Sequence, residues 1–105
     1  MKSYNLIVFS PLDNTDAILK ALGDAGAGKI GDYTHCSNVT RSHGRFLPGK
    51  NADPEIGEPG KIEVVEEDRI ETTCDEDKLH EVVAALKETH PYEEVPYYLF
   101  ERIVL

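Results

Sequence analysis

Residues 75–91 read DEDKLHEVVAALKETHP and predict a helix that packs on a core. The acids at 75–77 fall in its first turn, where negative charge is favourable to the helix dipole. Pro91 forces His90 out of helical geometry and therefore ends the helix. Four apolar residues recur at helical spacing and predict its buried face: Leu79, Val82, Val83 and Leu86.

The segments on either side of this helix predict four strands and one further helix. Runs rich in β-branched and aromatic residues predict strands at residues 4–9, 32–40, 61–74 and 95–105. The third strand is long, and a bulge is expected near residues 66–68. A second apolar stripe predicts a helix between the first two strands: Ile18, Ala21, Leu22 and Ala25. The order βαββαβ indicates an α+β, ferredoxin-like fold, with a four-stranded antiparallel sheet and both helices on one face.

Length and charge limit the classes of protein to which the chain can belong. Its 105 residues predict one domain, residues 1–105, with a net charge of −9. Nucleic-acid binding is not expected, because phosphates need a basic surface. No apolar run approaches the length of a membrane span, and the N-terminus lacks a signal-peptide pattern. A cytoplasmic protein without membrane contact is therefore expected.

The predicted topology brings two loops to the same end of the domain. The first is the loop at residues 41–60, which is rich in glycine and proline, and the second is the turn at residues 90–95. Binding residues concentrate on loops that a rigid scaffold positions. We therefore expect these two segments to meet and to frame a binding site.

The turn contains the densest polar cluster of the sequence, His-Pro-Tyr-Glu-Glu at residues 90–94. Imidazole and carboxylate groups suit a divalent metal ion, the one cofactor that the sequence suggests. The predicted metal ligands are His90, Glu93, Glu94 and His43 from the facing loop. The structural alternative is that His90 only closes the helix and that the acids lie on a solvated turn.

The facing loop adds an anion-binding candidate. Arg45 can grip an anionic group with two donors, and the adjacent Gly44 lets a ligand approach the backbone closely. The predicted small-ligand site comprises His43, Arg45, Tyr92 and Glu93. No motif for a nucleophilic hydrolase occurs, and no catalytic residue is predicted.

Four motifs of the chain resemble those of NIF-three-like proteins, in order and at the spacing of that family. They are GAGKIGDYTHCS at residues 26–37, GRFLPG at 44–49, IGEPGK at 56–61 and HPYEE at 90–94. The resemblance is to the middle domain, which is similar to CutA and P-two signalling proteins. It implies a ferredoxin-like fold, a homotrimer, and a ligand cleft between subunits at residues 41–60 and 90–95. The two-metal site of long members lies in flanking halves, so the resemblance assigns no hydrolase residue here.

Three functions are compatible with these features. The first is a non-catalytic oligomeric binding or sensor domain for a small ligand or a divalent metal. The second is a metal-dependent hydrolase that would use His43, His90, Glu93 and Glu94. The third is a protein-interaction module that presents an edge strand or an open sheet face.

Overall fold

The computed structural model describes all 105 residues. Its elements are β1 (Ser3–Pro11), α1 (Thr15–Asp24), β2 (Ser37–Phe46), β3 (Glu63–Asp75), α2 (Leu79–Thr89) and β4 (Tyr97–Arg102). The strands form one sheet in the order β2-β3-β1-β4, with every neighbouring pair antiparallel. The ferredoxin-like fold is therefore confirmed. Neither helix has the length and apolar character needed to cross a membrane.

The core lies between the two helices and the central strands of the sheet. Leu6 and Val8 of β1 stand opposite Thr72 and Ile70 of β3, and all four side chains are buried. The helices contribute the apolar stripes that the sequence predicts, and the most buried members of these stripes are Ile18, Leu22, Val82 and Leu86. Burial of each such side chain stabilises the fold by about 1.5–3 kcal/mol.

The second strand differs from the prediction, because it spans Ser37–Phe46 instead of residues 32–40. Residues 26–36 form a compact turn in which Gly26, Gly28, Gly31 and His35 have positive φ angles, which a strand cannot accommodate. Residues 41–46, predicted as loop, instead pair with residues 63–68 and lengthen the hairpin. The connection between β2 and β3 therefore covers residues 47–62.

Two smaller predictions about the strands are also wrong. The expected bulge near residues 66–68 is absent, because the register of β3 is unbroken against both neighbouring strands. Against β1 the pairs run from Pro11↔Glu67 to Ser3↔Asp75, and against β2 they run from Phe46↔Glu63 to Ser37↔Thr72. The last strand, β4, is shorter than predicted and ends at Arg102. It pairs only with residues 3–8 of β1, so nothing extends the ladder to residues 103–105.

Candidate functional site

His90 anchors the turn that follows α2. Its Nε2 donates to the carbonyl oxygen of Phe9 at 2.7 Å, and its Nδ1 accepts from the backbone N–H of Tyr92 at 3.1 Å. The side chain is almost fully buried, and this burial lowers the pKa of His90, outweighing the opposite effects of the Phe9 carbonyl and Glu67. Both ring nitrogens are thus occupied, and a neutral His90 fixes the start of the turn.

Tyr92 fastens the same turn to the β2–β3 hairpin. Its hydroxyl donates to Glu67 Oε2 at 2.7 Å, and Glu67 is only 4% exposed. Burial and the carboxylate of Glu67 both raise the pKa of Tyr92 above its usual range. The Tyr92 ring also lies near Phe46 of β2, with 6.5 Å between ring centroids. These contacts hold Tyr92 in one orientation.

The loop between β2 and β3 folds onto the turn. The backbone N–H of Asp53 donates to Glu93 Oε2 at 2.9 Å, which joins the two segments directly. Within the loop, the N–H of Gly60 donates to the carbonyl of Pro48 at 2.9 Å, and Pro48 is buried. The two segments that the topology predicts to meet are therefore in contact.

A cleft of about 330 Å³ lies between the loop and the turn. Most of its lining is apolar, from residues that include Phe46, Leu47, Ile56 and Tyr92. Three carboxylates are its only ionisable side chains apart from Tyr92, and they belong to Glu55, Glu93 and Glu94. A concave, mostly apolar surface with a few polar groups is the usual form of a small-ligand site.

The predicted ligand residues do not all reach this cleft. Tyr92 and Glu93 line it, but His43 and Arg45 do not. Successive side chains of a strand point to opposite faces, so His43 and Arg45 lie on the face of β2 away from Phe46. His43 instead faces Glu66, with 3.9 Å between its Nε2 and Oε1. Arg45 is thus not part of the lining of this cleft, and its anion-binding role stays a prediction.

The predicted metal ligands are likewise not assembled within one chain. His90 uses both ring nitrogens in hydrogen bonds, and His43 lies on the other face of β2. Glu93 and Glu94 line the cleft, but no group of three or more His, Cys, Asp or Glu side chains is placed to share one ion. Metal binding by these four residues stays a prediction.

The structure adds two residues that were not among the predicted site residues, Glu67 and Phe46. Glu67 belongs to an acidic run, residues 66–68, and only the fold shows that its carboxylate lies beside Gly44 and accepts the Tyr92 hydroxyl. Phe46 had a visible signal, because it lies in the GRFLPG motif at residues 44–49, where two apolar residues stand near glycine and proline. Apolar residues in such a loop indicate either a packed loop or a lined cleft.

No family model matches the chain, but individual proteins do. A GTP cyclohydrolase 1 type 2 homolog of Halalkalibacterium halodurans is 45% identical over 97 residues, which are 92% of this chain and 26% of that protein. A Bacillus cereus protein related to NIF3 superposes with a TM-score of 0.83 at 39% identity, over 96% of this chain and 26% of its own. CutA1 from Pyrococcus horikoshii shares the fold, with a TM-score of 0.71 at 17% identity, over 97% of this chain and 85% of its own.

The matches cover most of this chain but only part of the longer relatives. The chain spans about a quarter of the length of the curated relatives that it matches. CutA1 is similar to this chain in fold alone. The Halalkalibacterium halodurans protein is similar to it in sequence, and the Bacillus cereus protein is similar to it in both sequence and structure. Over about nine tenths of its length, the chain is therefore homologous to the GTP cyclohydrolase 1 type 2 homologs, the NIF3-related proteins, and it has the CutA-like fold.

Proposed function

We propose that this chain is a non-catalytic ligand-binding domain, with its site in the cleft between residues 46–56 and 92–96. The observation that carries the proposal is the fixed architecture of this cleft. Hydrogen bonds from His90 and Tyr92 hold one wall, and Glu93 joins the other wall to it. A pre-formed cleft loses little conformational freedom when a ligand enters, which favours binding.

The lining supports binding rather than catalysis. It contains no serine, threonine, cysteine, lysine or histidine, so it lacks the usual nucleophiles and their bases. Its three carboxylates, on Glu55, Glu93 and Glu94, are all exposed to solvent, where they can meet the charge of a ligand.

The open face of the sheet supports a homo-oligomer, with a trimer favoured by the resemblance to CutA. Tyr98 and Phe100 lie on the face opposite the helices and are 55% and 57% exposed. Phe9 extends this aromatic row, because its ring meets that of Tyr98 edge to face at 6.1 Å between centroids. An aromatic patch of this kind is typical of a surface that a partner covers. Sedimentation over a wide concentration range tests this part of the proposal.

Binding at the cleft can be tested by NMR with a mixture of small organic probes that are cationic, neutral or anionic. We expect amide shifts confined to residues 46–56 and 92–96, with every probe recovered chemically unchanged. Phe46→Ala should abolish these shifts, since it removes an aromatic wall of the cleft. Val39→Ala, an exposed apolar change on the other face of β2, is the control. Shifts elsewhere, or conversion of a probe, would contradict the proposal.

A further inference from the structure

We propose that the cleft selects organic cations, meaning ligands that join an apolar body to an ammonium-type positive charge. This inference rests on the proposed function and specifies the chemical class of ligand. The apolar side chains of Phe46, Leu47 and Ile56 suit a hydrocarbon or aromatic body. The carboxylates of Glu55, Glu93 and Glu94 then supply the counter-charge for a cationic group.

The same lining offers nothing to an anion. No lysine, arginine or histidine is among the residues of the cleft. The two nearest candidates in β2, His43 and Arg45, lie on the opposite face of that strand. In the loop, neither Lys50 nor Lys61 is part of the lining, and Lys61 is paired with Glu58 at 2.8 Å. An anionic ligand would therefore meet three carboxylates and no cation among the residues that line the cleft.

The three carboxylates have different tasks. Glu93 accepts the Asp53 N–H through Oε2, so it also holds the loop against the turn. Glu55 and Glu94 have no hydrogen bond or ion pair within the chain, and both are exposed at the cleft. Their charges are thus available to a ligand, and the net charge of −9 further concentrates cations near the surface.

A matched series of probes tests the selectivity directly. Hexylammonium, hexan-1-ol and hexanoate have the same number of carbon atoms and differ in charge. At low ionic strength we expect hexylammonium to bind about 3- to 10-fold more tightly than hexan-1-ol, as one or two partly exposed ion pairs provide. Hexanoate should bind more weakly than hexan-1-ol. At about 0.5 M salt the preference for hexylammonium should shrink, because salt screens exposed charges.

A double variant, Glu55→Gln with Glu94→Gln, separates charge from shape. It should bind hexan-1-ol as wild type does and lose most of the preference for hexylammonium, while Glu93 still holds the loop. Glu88→Gln, on the exposed side of α2, makes the same kind of charge change outside the cleft and should leave the preference intact.

The outcomes distinguish this inference from the proposed function on which it rests. Equal binding of hexanoate and hexylammonium, or a preference that survives in the double variant, would overturn the selectivity and leave the cleft as a binding site. If none of the three probes bound, both the selectivity and the cleft as a site for small apolar ligands would be overturned.

Discussion

The carboxylate of Glu67 occupies the space that a side chain at position 44 would need. A Cβ atom built on Gly44 would lie 2.0 Å from Glu67 Oε1, while Oε2 accepts the Tyr92 hydroxyl at 2.7 Å. Because Gly44 of β2 has no side chain, the buried carboxylate of Glu67 in β3 can reach Tyr92 in the turn after α2. One glycine therefore helps to shape the wall of the cleft.

We expect Gly44→Ala to destabilise the protein by about 1–3 kcal/mol, as overpacking and a displaced buried carboxylate do. Urea unfolding measures this loss. Gly49→Ala is the matched control, because no atom lies within 4 Å of the added methyl group and its φ angle is not positive. If the two variants lost the same small amount of stability, Glu67 would not be fixed over position 44.

Tyr92→Phe tests the second contact of Glu67. The change removes the hydroxyl and leaves Glu67 buried without its donor, which should cost about 1–3 kcal/mol of unfolding free energy. Tyr33→Phe removes a hydroxyl from a side chain that is 75% exposed and should cost almost nothing. Equal losses in the two variants would mean that Tyr92 does not stabilise the buried carboxylate.

The sequence was a good guide to the helices and a poor one to β2. The stripes around Ile18 and Leu86 were predictable because helical periodicity is a local property. Residues 41–46 looked like loop, because they begin a stretch of about twenty residues, 41–60, that is rich in glycine and proline. They form a strand only because β3 offers a pairing partner, and local pattern does not reveal such a long-range contact.

The candidate site was predictable in its location but not in its chemistry. Topology alone predicted that the loop and the turn would meet, and the bond between Asp53 and Glu93 joins them. His43 and Arg45 do not line the cleft of the single chain, because both lie on the face of β2 opposite Phe46. A change of one residue in register exchanges those faces, so residue types alone cannot assign them.

Leu86→Ala tests the packing of α2 on the sheet. Leu86 is fully buried in the core, so its truncation should cost about 2–5 kcal/mol through lost burial and a cavity. Leu47→Ala makes the same chemical change at a side chain that is 59% exposed, and it should cost less than about 0.5 kcal/mol. Denaturant unfolding of both variants checks the difference. A loss below about 0.5 kcal/mol for Leu86→Ala would show that this face of the helix does not form the core.

The buried His90 should make stability depend on pH in a specific direction. Its pKa is lowered in the folded protein from the ordinary value of 6.5, so the unfolded chain binds the proton first as the pH falls. The stabilisation by neutral His90 is therefore complete above about pH 6.5 and is lost as the pH falls through the lowered pKa. The loss cannot exceed about 1.4 kcal/mol per pH unit for one proton.

Comparison of wild type with His90→Gln at pH 7.5 and 5.5 isolates this effect, because glutamine can still donate to the Phe9 carbonyl but does not titrate. The difference in unfolding free energy between the two proteins should be smaller at pH 5.5, since only wild type loses stability by protonation at position 90. His80→Gln, which changes an exposed histidine of α2 and keeps His90, serves as the control. An NMR titration that placed the pKa of His90 at or above 6.5 would contradict the buried, neutral ring. It would then also remove the reason to regard His90 as the fixed anchor of the cleft.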